Sequence, residues 1–370
     1  MSEDDDRPLF FHVMAYASAA EGDVVDMVSG NPDWEPPEAL REGFREYADE
    51  PVDHYQYPPS EGLGALREEI ADRRNVDVER VVITNGAAEA NYLVTGCVLD
   101  GYPGDEVVIT DPIYPYYSDR ARLLGATPRF VPTLTDGTLD LERTREVVSD
   151  DTALIILNSP NNPTGAVYGG ETKRELAALA AEHDALFLSD EVYDHFDYSG
   201  TFETALGIDD ERVAVTNSVS KAMAATGVRV GYAIVPESLV DAVRTRHMLT
   251  DLAVTRPGQQ AVLRAYRETP PEYYERARET MARRVESFTA ALDDAGAEYT
   301  TPQGAFYVMA RFDGFPGTLE NVKRLIDEIG VAGMPGEAFG ESRQEWLRFA
   351  LVTDRVDTAA DRLAAFFADR

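Results

Sequence analysis

The residue most able to do chemistry in this 370-residue chain is a lysine, in a sequence that hardly uses lysine. Of 34 basic residues only Lys173, Lys221 and Lys323 are lysines; the others are arginines. Arginine stays protonated in proteins, whereas a lysine in a low-dielectric pocket gives up its proton and can form a Schiff base. Lys221 stands in Ser218-Val219-Ser220-Lys221, between a β-branched run ending at Thr216 and a loop of small residues ending at Gly227. Two serine hydroxyls and Arg229 nearby suit an anion such as phosphate. Together they suggest a lysine that carries pyridoxal 5'-phosphate.

Such a cofactor needs a phosphate cradle, an acid at its ring nitrogen, donors at its phenolic oxygen and a stacking aromatic ring besides the lysine. A candidate exists for each. Thr84-Asn85-Gly86-Ala87-Ala88-Glu89 joins a strand end to a helix start, where free N–H groups and the helix dipole favour an anion. Asp190, in Ser189-Asp190-Glu191-Val192-Tyr193, would keep the ring nitrogen protonated, and its neighbour Glu191 should point away. Arg348 lies on an otherwise apolar run, Trp346-Leu347-Arg348-Phe349, and a buried guanidinium requires an anionic partner. Gly30, in Ser29-Gly30-Asn31-Pro32-Asp33, allows the backbone to approach a ligand closely.

The lysine segment and its continuation Gly227-Val228-Arg229-Val230-Gly231-Tyr232 resemble the S-x-S-K-x-x-x-x-x-G-x-R-x-G-Y signature of fold-type I pyridoxal-phosphate enzymes, the class I/II aminotransferases. The resemblance runs from Ser29 to Arg348. Asn158-Ser159-Pro160-Asn161-Asn162-Pro163-Thr164-Gly165 is similar to the family's N-x-P-x-N-P-T-G. It implies that Asn162 donates to the phenolic oxygen near the substrate carboxylate and that Tyr193 donates to the same oxygen. It also implies that Tyr114, in Asp111-Pro112-Ile113-Tyr114-Pro115-Tyr116, stacks on the ring. Gly86, Ala87, Ala88, Ser218, Ser220 and Arg229 would bind the phosphate, and Arg348 would fork onto the substrate α-carboxylate. Tyr57, five residues before Gly62, would reach a neighbouring subunit's phosphate, which makes a homodimer the expected assembly. The segments around Phe306-Tyr307 and Pro335-Gly336 read as structural. The implied reaction moves an amino group between an L-amino acid and a 2-oxo acid. A carbon–sulfur β-lyase or a decarboxylase on the same fold is the alternative.

Seven apolar runs must position these groups: Val81–Ile83, Val107–Thr110, Arg129–Val131, Leu154–Leu157, Leu186–Ser189, Val213–Thr216 and Val230–Val235. They alternate with amphipathic stretches such as 87–99, 141–148 and 171–183. Continuous apolar strands alternating with helices predict an α/β fold, a mostly parallel seven-stranded sheet covered by helices on both faces. Ligands bind beyond the carboxyl ends of strands in such sheets, and the site motifs sit there. After Pro270-Pro271 the pattern changes. The expected division is a large cofactor domain over 44–270 and a smaller α+β domain from both chain ends, 1–43 and 271–370. Residues 10–16 read as a short helix bordering the pocket, 24–28 as a strand, and the first seven residues as mobile.

Composition narrows the partners. The net charge is −33, which opposes nucleic acid and anionic membrane surfaces. Acidic residues are spread along the chain and lysine is depleted, a pattern that resembles a salt-loving organism's protein. No apolar run approaches the roughly 20 residues of a membrane span, and the acidic start lacks a secretory pattern, so the expected location is cytoplasmic. The single cysteine, Cys97, reads as core filler, and none of the five histidines has the spacing of a metal pair, so no metal is expected.

Overall fold

A computed structural model describes residues 9–368. The first seven residues, expected to be mobile, lie outside that range. The seven apolar runs form one sheet: β1 (Val81–Thr84), β2 (Glu106–Asp111), β3 (Thr127–Pro132), β4 (Thr152–Asn158), β5 (Leu186–Asp190), β6 (Val213–Ser218) and β7 (Gly231–Ile234), in the order β1-β7-β6-β5-β4-β2-β3. Strands β2 to β6 pair parallel, and β7 runs antiparallel to both neighbours. The sheet is therefore mostly parallel, as the sequence predicts.

Side-chain alternation explains why the central runs are apolar throughout. In β4, Leu154 and Ile156 face one helix layer, with Leu93, Val94 and Val243, while Ile155 and Leu157 face the other, with Leu176, Leu179 and Ala180. Both faces are thus covered, and every residue of β4 is buried. Truncating Ile155 to alanine would cost about 2–5 kcal/mol, because a close-packed layer collapses only partly into the gap.

A second body draws on both chain ends. Tyr307–Arg311 and Leu347–Ala350 form the centre of a four-stranded antiparallel sheet, and Val25–Asp26 pairs with Val331–Ala332. Val13, Val25 and Met27 share one core with Phe288, Leu325, Phe349 and Leu363. The helix Pro271–Asp294 leads into this body. The strand expected over 24–28 shrinks to Val25–Asp26, and two helices, Glu237–Asp251 and Arg256–Glu268, precede the change of pattern at Pro270-Pro271. The helix Glu38–Tyr47 contains position 44 and packs against Arg256–Glu268 so closely that a Cβ on Gly43 would lie 2.7 Å from the Ala261 Cα. No helix among the described residues is long and apolar enough to cross a membrane.

Candidate active site

Five strands end at the same edge of the sheet, and each delivers a site motif. β1 ends at Thr84, β2 at Asp111, β4 at Asn158, β5 at Asp190 and β6 at Ser218. β7 runs the other way, so its start, just after Arg229, reaches the same edge. A cavity of about 340 Å³ opens there. It is lined by Gly30, Ala87, Ala88, Tyr114, Asn162, Asp190, Tyr193, Ser218, Ser220, Lys221, Arg229 and Arg348. All the sequence-predicted site residues line it except Gly86 and Tyr57. Gly86 precedes Ala87 as the cap of the Ala87–Gly101 helix. Tyr57 lies in another cleft with Arg256 and is 82 % exposed.

The half of the cavity that holds Ser218, Ser220 and Arg229 is fixed by its own hydrogen bonds. Ser218 ends β6 and caps the short helix Val219–Ala222, its side chain accepting from the Ser220 N–H at 3.3 Å. Arg229 adopts φ 57° and donates to the carbonyls of Thr226 (2.9 Å) and Asn85 (2.7 Å). This pins the guanidinium over the turn that opens the Ala87–Gly101 helix. Gly86 is required there: its φ is 79°, and a Cβ would lie 2.6 Å from Arg229 Nη2.

Lys221 Nζ donates to the Gly30 carbonyl at 2.7 Å and faces the rings of Tyr193 and Phe306, each at 5.9 Å. No carboxylate lies within ion-pair distance among the described residues. Burial, then the positive charges of Arg348 and Arg229, push its amine down to about 8. Asp190 is buried, and its donors are all neutral: Tyr117 Oη and Asn91 Nδ2 at 2.6 Å each, and the Val192 N–H at 3.1 Å. Burial raises this carboxyl, and those donors oppose the rise. Asn162 is held by its own N–H, which donates to Asn158 Oδ1 at 2.8 Å. The Tyr193 and Tyr307 hydroxyls are 3.0 Å apart.

Arg348 is 1 % exposed and sits among the rings of Phe10, Tyr307 and Phe339 at 4.8–5.7 Å. It reaches Asn162 Oδ1 at 3.4 Å and the Val28 carbonyl, while its Nε has no partner. No acid pairs with it among the described residues, so an internal ion pair is not what keeps it there. Burial drives its guanidinium down, and an entering carboxylate would relieve that cost.

Sequence reasoning missed several groups. Tyr117 and Asn91 hold Asp190 from 73 and 99 residues away, and no local spacing announces such pairs. Tyr307 read as structural, yet it lines the cavity, and its hydroxyl would collide with any Cβ on Gly30. Glu191 does point away, into a fully buried pair with Lys173 at 3.0 Å. Arg256 donates to the Asp53 carbonyl at 3.1 Å and is not among the cavity residues.

The profile of the family described as Aminotransferase class I and II matches residues 22–363. A Thermus aquaticus protein named probable aspartate/prephenate aminotransferase is 33% identical over 354 residues, which is 92% of this chain and 91% of that protein. The aromatic-amino-acid aminotransferase 2 of Thermococcus litoralis is 30% identical, covering 94% and 92% of the two chains. The solved structure of Thermus thermophilus aspartate aminotransferase with maleate superposes with a TM-score of 0.90 at 31% identity, covering 97% of each chain. The cavity's free lysine, its carboxylate without a cation and its guanidinium without an anion agree with these likenesses. The chain belongs to the class I and II aminotransferases, enzymes that transfer amino groups with pyridoxal phosphate.

Proposed function

We propose that this transaminase works through Lys221, with Arg348 as its substrate-carboxylate anchor. The observation that carries the reading is the pair of cations facing one cavity, half-buried Lys221 and fully buried Arg348, neither ion-paired with an acid among the described residues. When bound, pyridoxal phosphate supplies an aldehyde that condenses with amines and a ring that draws electrons from the amino acid α-carbon.

The residues present fit that group. The turn at Gly86, Ala87 and Ala88, with Ser218, Ser220 and Arg229, would hold its phosphate. Asp190 would hold a proton on its ring nitrogen, since a buried carboxylate with neutral donors favours a cationic neighbour. Asn162 and Tyr193 would donate to its phenolic oxygen, and Tyr114 would cover one face and exclude water. Arg348 orients the amino acid by its carboxylate, beside Gly30 and Asn162. The Lys221 amine, neutral at mildly basic pH, would serve as the base that takes and holds the amino acid α-proton. The remaining wall includes Phe10, Met14, Tyr116 and Arg120, both aromatic and cationic. Together with relatives named for aspartate and for aromatic amino acids, it makes those two donor classes the first to test.

Tyr57, exposed in one chain, suits a role in a homodimer, reaching the neighbour's phosphate. The chain divides near 44 and 270, with the Glu38–Tyr47 helix better placed in the large body. The acidic, lysine-poor surface supports a cytoplasmic protein adapted to high salt. Its unfolding midpoint should rise from dilute to molar salt, and an unchanged midpoint would remove that part. The functional test is a visible spectrum in high salt with cofactor and a panel of amino acids. A band that bleaches with a donor and returns with 2-oxoglutarate is expected. Release of ammonia or carbon dioxide instead would move the chemistry to a lyase or a decarboxylase.

A further inference from the structure

Glu89, His247 and Asp251 meet outside the cavity, on two packed helices. His247 and Asp251 are one turn apart at the end of the Glu237–Asp251 helix, so they share a face. Glu89 lies in the first turn of the Ala87–Gly101 helix beside it. One ligand atom from each falls within 4.8 Å of the others. His247 is fully buried, and neither ring nitrogen makes a hydrogen bond among the described residues. Its Nε2 stands 3.5 Å from Glu89 Oε2.

The local donors do not serve this histidine. Asn85 spends its N–H (2.6 Å) and its side-chain amide (3.3 Å) on Glu89, and the same amide reaches Asp251. Two carboxylates and an imidazole without hydrogen bonds therefore converge on one small volume. Two ligands about 2.1 Å from a tetrahedral cation are roughly 3.4 Å apart, close to the Nε2–Oε2 separation. Imidazole with carboxylates and no thiolate suits zinc, cobalt or manganese better than calcium or copper(I). The chain's net charge of −33 also favours cation uptake.

We propose that Glu89, His247 and Asp251 bind one divalent first-row cation of the zinc class, pinning the start of the Ala87–Gly101 helix to the end of the Glu237–Asp251 helix. The pinned end carries Gly86, Ala87 and Ala88, so the cation stiffens the turn assigned to the phosphate. It takes no part in the transfer chemistry. The sequence expectation of no metal rested on histidine spacing, whereas this cluster brings Glu89 to His247 and Asp251 from far along the chain.

The test uses chelator-washed holoenzyme, titrated with Zn²⁺ by calorimetry and with Co²⁺ by visible absorption. One equivalent per chain is expected, together with a Co²⁺ spectrum of low-symmetry N,O coordination and a melting temperature raised by metal. Asp251→Asn keeps an exposed residue's shape and should weaken binding at least as much as the roughly 10–100-fold that follows disturbance of a ligand's outer partners. His247→Gln should do the same. No stoichiometric binding would overturn the site. So would binding undiminished in Asp251→Asn, which would place the cation on the cofactor or elsewhere on the acidic surface.

Discussion

Two of the three lysines are withdrawn from solvent, Lys173 fully and Lys221 in part, and they live in opposite circumstances. Lys173 is fully buried, lies 3.0 Å from Glu191 Oε1, donates to the Glu203 carbonyl at 2.7 Å and sits over the Phe202 ring at 4.1 Å. Glu191 in turn accepts from Ser189, Thr204 and the Ala205 N–H at 2.7–3.0 Å. Lys221 has one backbone carbonyl as partner, feels two arginines, and feels Asp190 only from beyond ion-pair distance. The acids divide in the same way: adjacent Asp190 and Glu191 point apart at the end of β5, and only Glu191 meets a cation. Burial alone therefore does not mark function in this molecule. What separates the two regions is whether each charge has its counter-charge already supplied by the chain.

The largest expected contrast comes from removing each lysine. Lys221→Ala should lower amino transfer by ~10⁴-fold or more, measured by single-turnover kinetics, while leaving the melting temperature of the cofactor-free protein unchanged or higher. Lys173→Met should do the reverse. It strands Glu191 and should cost about 3–5 kcal/mol in denaturant unfolding, and the double change Lys173→Met with Glu191→Leu should recover most of that. If both single variants lost stability alike, the comparison would break.

Arg348→Ala should reduce kcat/KM by roughly 30- to several-thousand-fold, because a substrate carboxylate loses its buried partner, about 2–5 kcal/mol. Lysine at that position should restore only part, since it lacks the bidentate fork. Asp190→Asn should lower kcat on the order of 10²–10³-fold, with the cofactor still bound by its phosphate. Unaltered kcat would show that the ring nitrogen needs no anionic partner here.

The smallest effect is one of pH. The rate at which cofactor-free protein takes up pyridoxal phosphate should rise through pH about 8, where the Lys221 amine loses its proton. The sign for stability follows from the same shift. The folded-state value lies below the free amine's 10.5, so the unfolded chain binds more protons between the two. The Lys221 penalty is therefore complete below about pH 8 and relieved as pH rises toward 10.5. Arg348→Met should move the uptake midpoint upward by removing a nearby positive charge.

Much of this was legible in the sequence for physical reasons. A strand buried on two faces must be apolar along its whole length, so six of the seven strands announced themselves that way, the edge strand Thr127–Pro132 being half exposed. Groups at strand ends are local in sequence, so Asp190, Asn162 and Ser218 could be read with their strands. The partners that tune them could not. Tyr117 lies on a helix, Tyr116–Leu123, that no periodicity separated from the Tyr114 motif. Asn91 reaches Asp190 across the sheet from a different helix. The scarcity of lysine was a signal used for Lys221 only; applied to Lys173 it would have pointed to the buried pair with Glu191.

The most direct test is to reduce the holoenzyme with borohydride and map the pyridoxyl group by peptide mass spectrometry. A single adduct on Lys221, with Lys173 and Lys323 unmodified, is the expected result. An adduct on Lys173, or none on Lys221, would contradict the claim that the unpaired lysine is the reactive one.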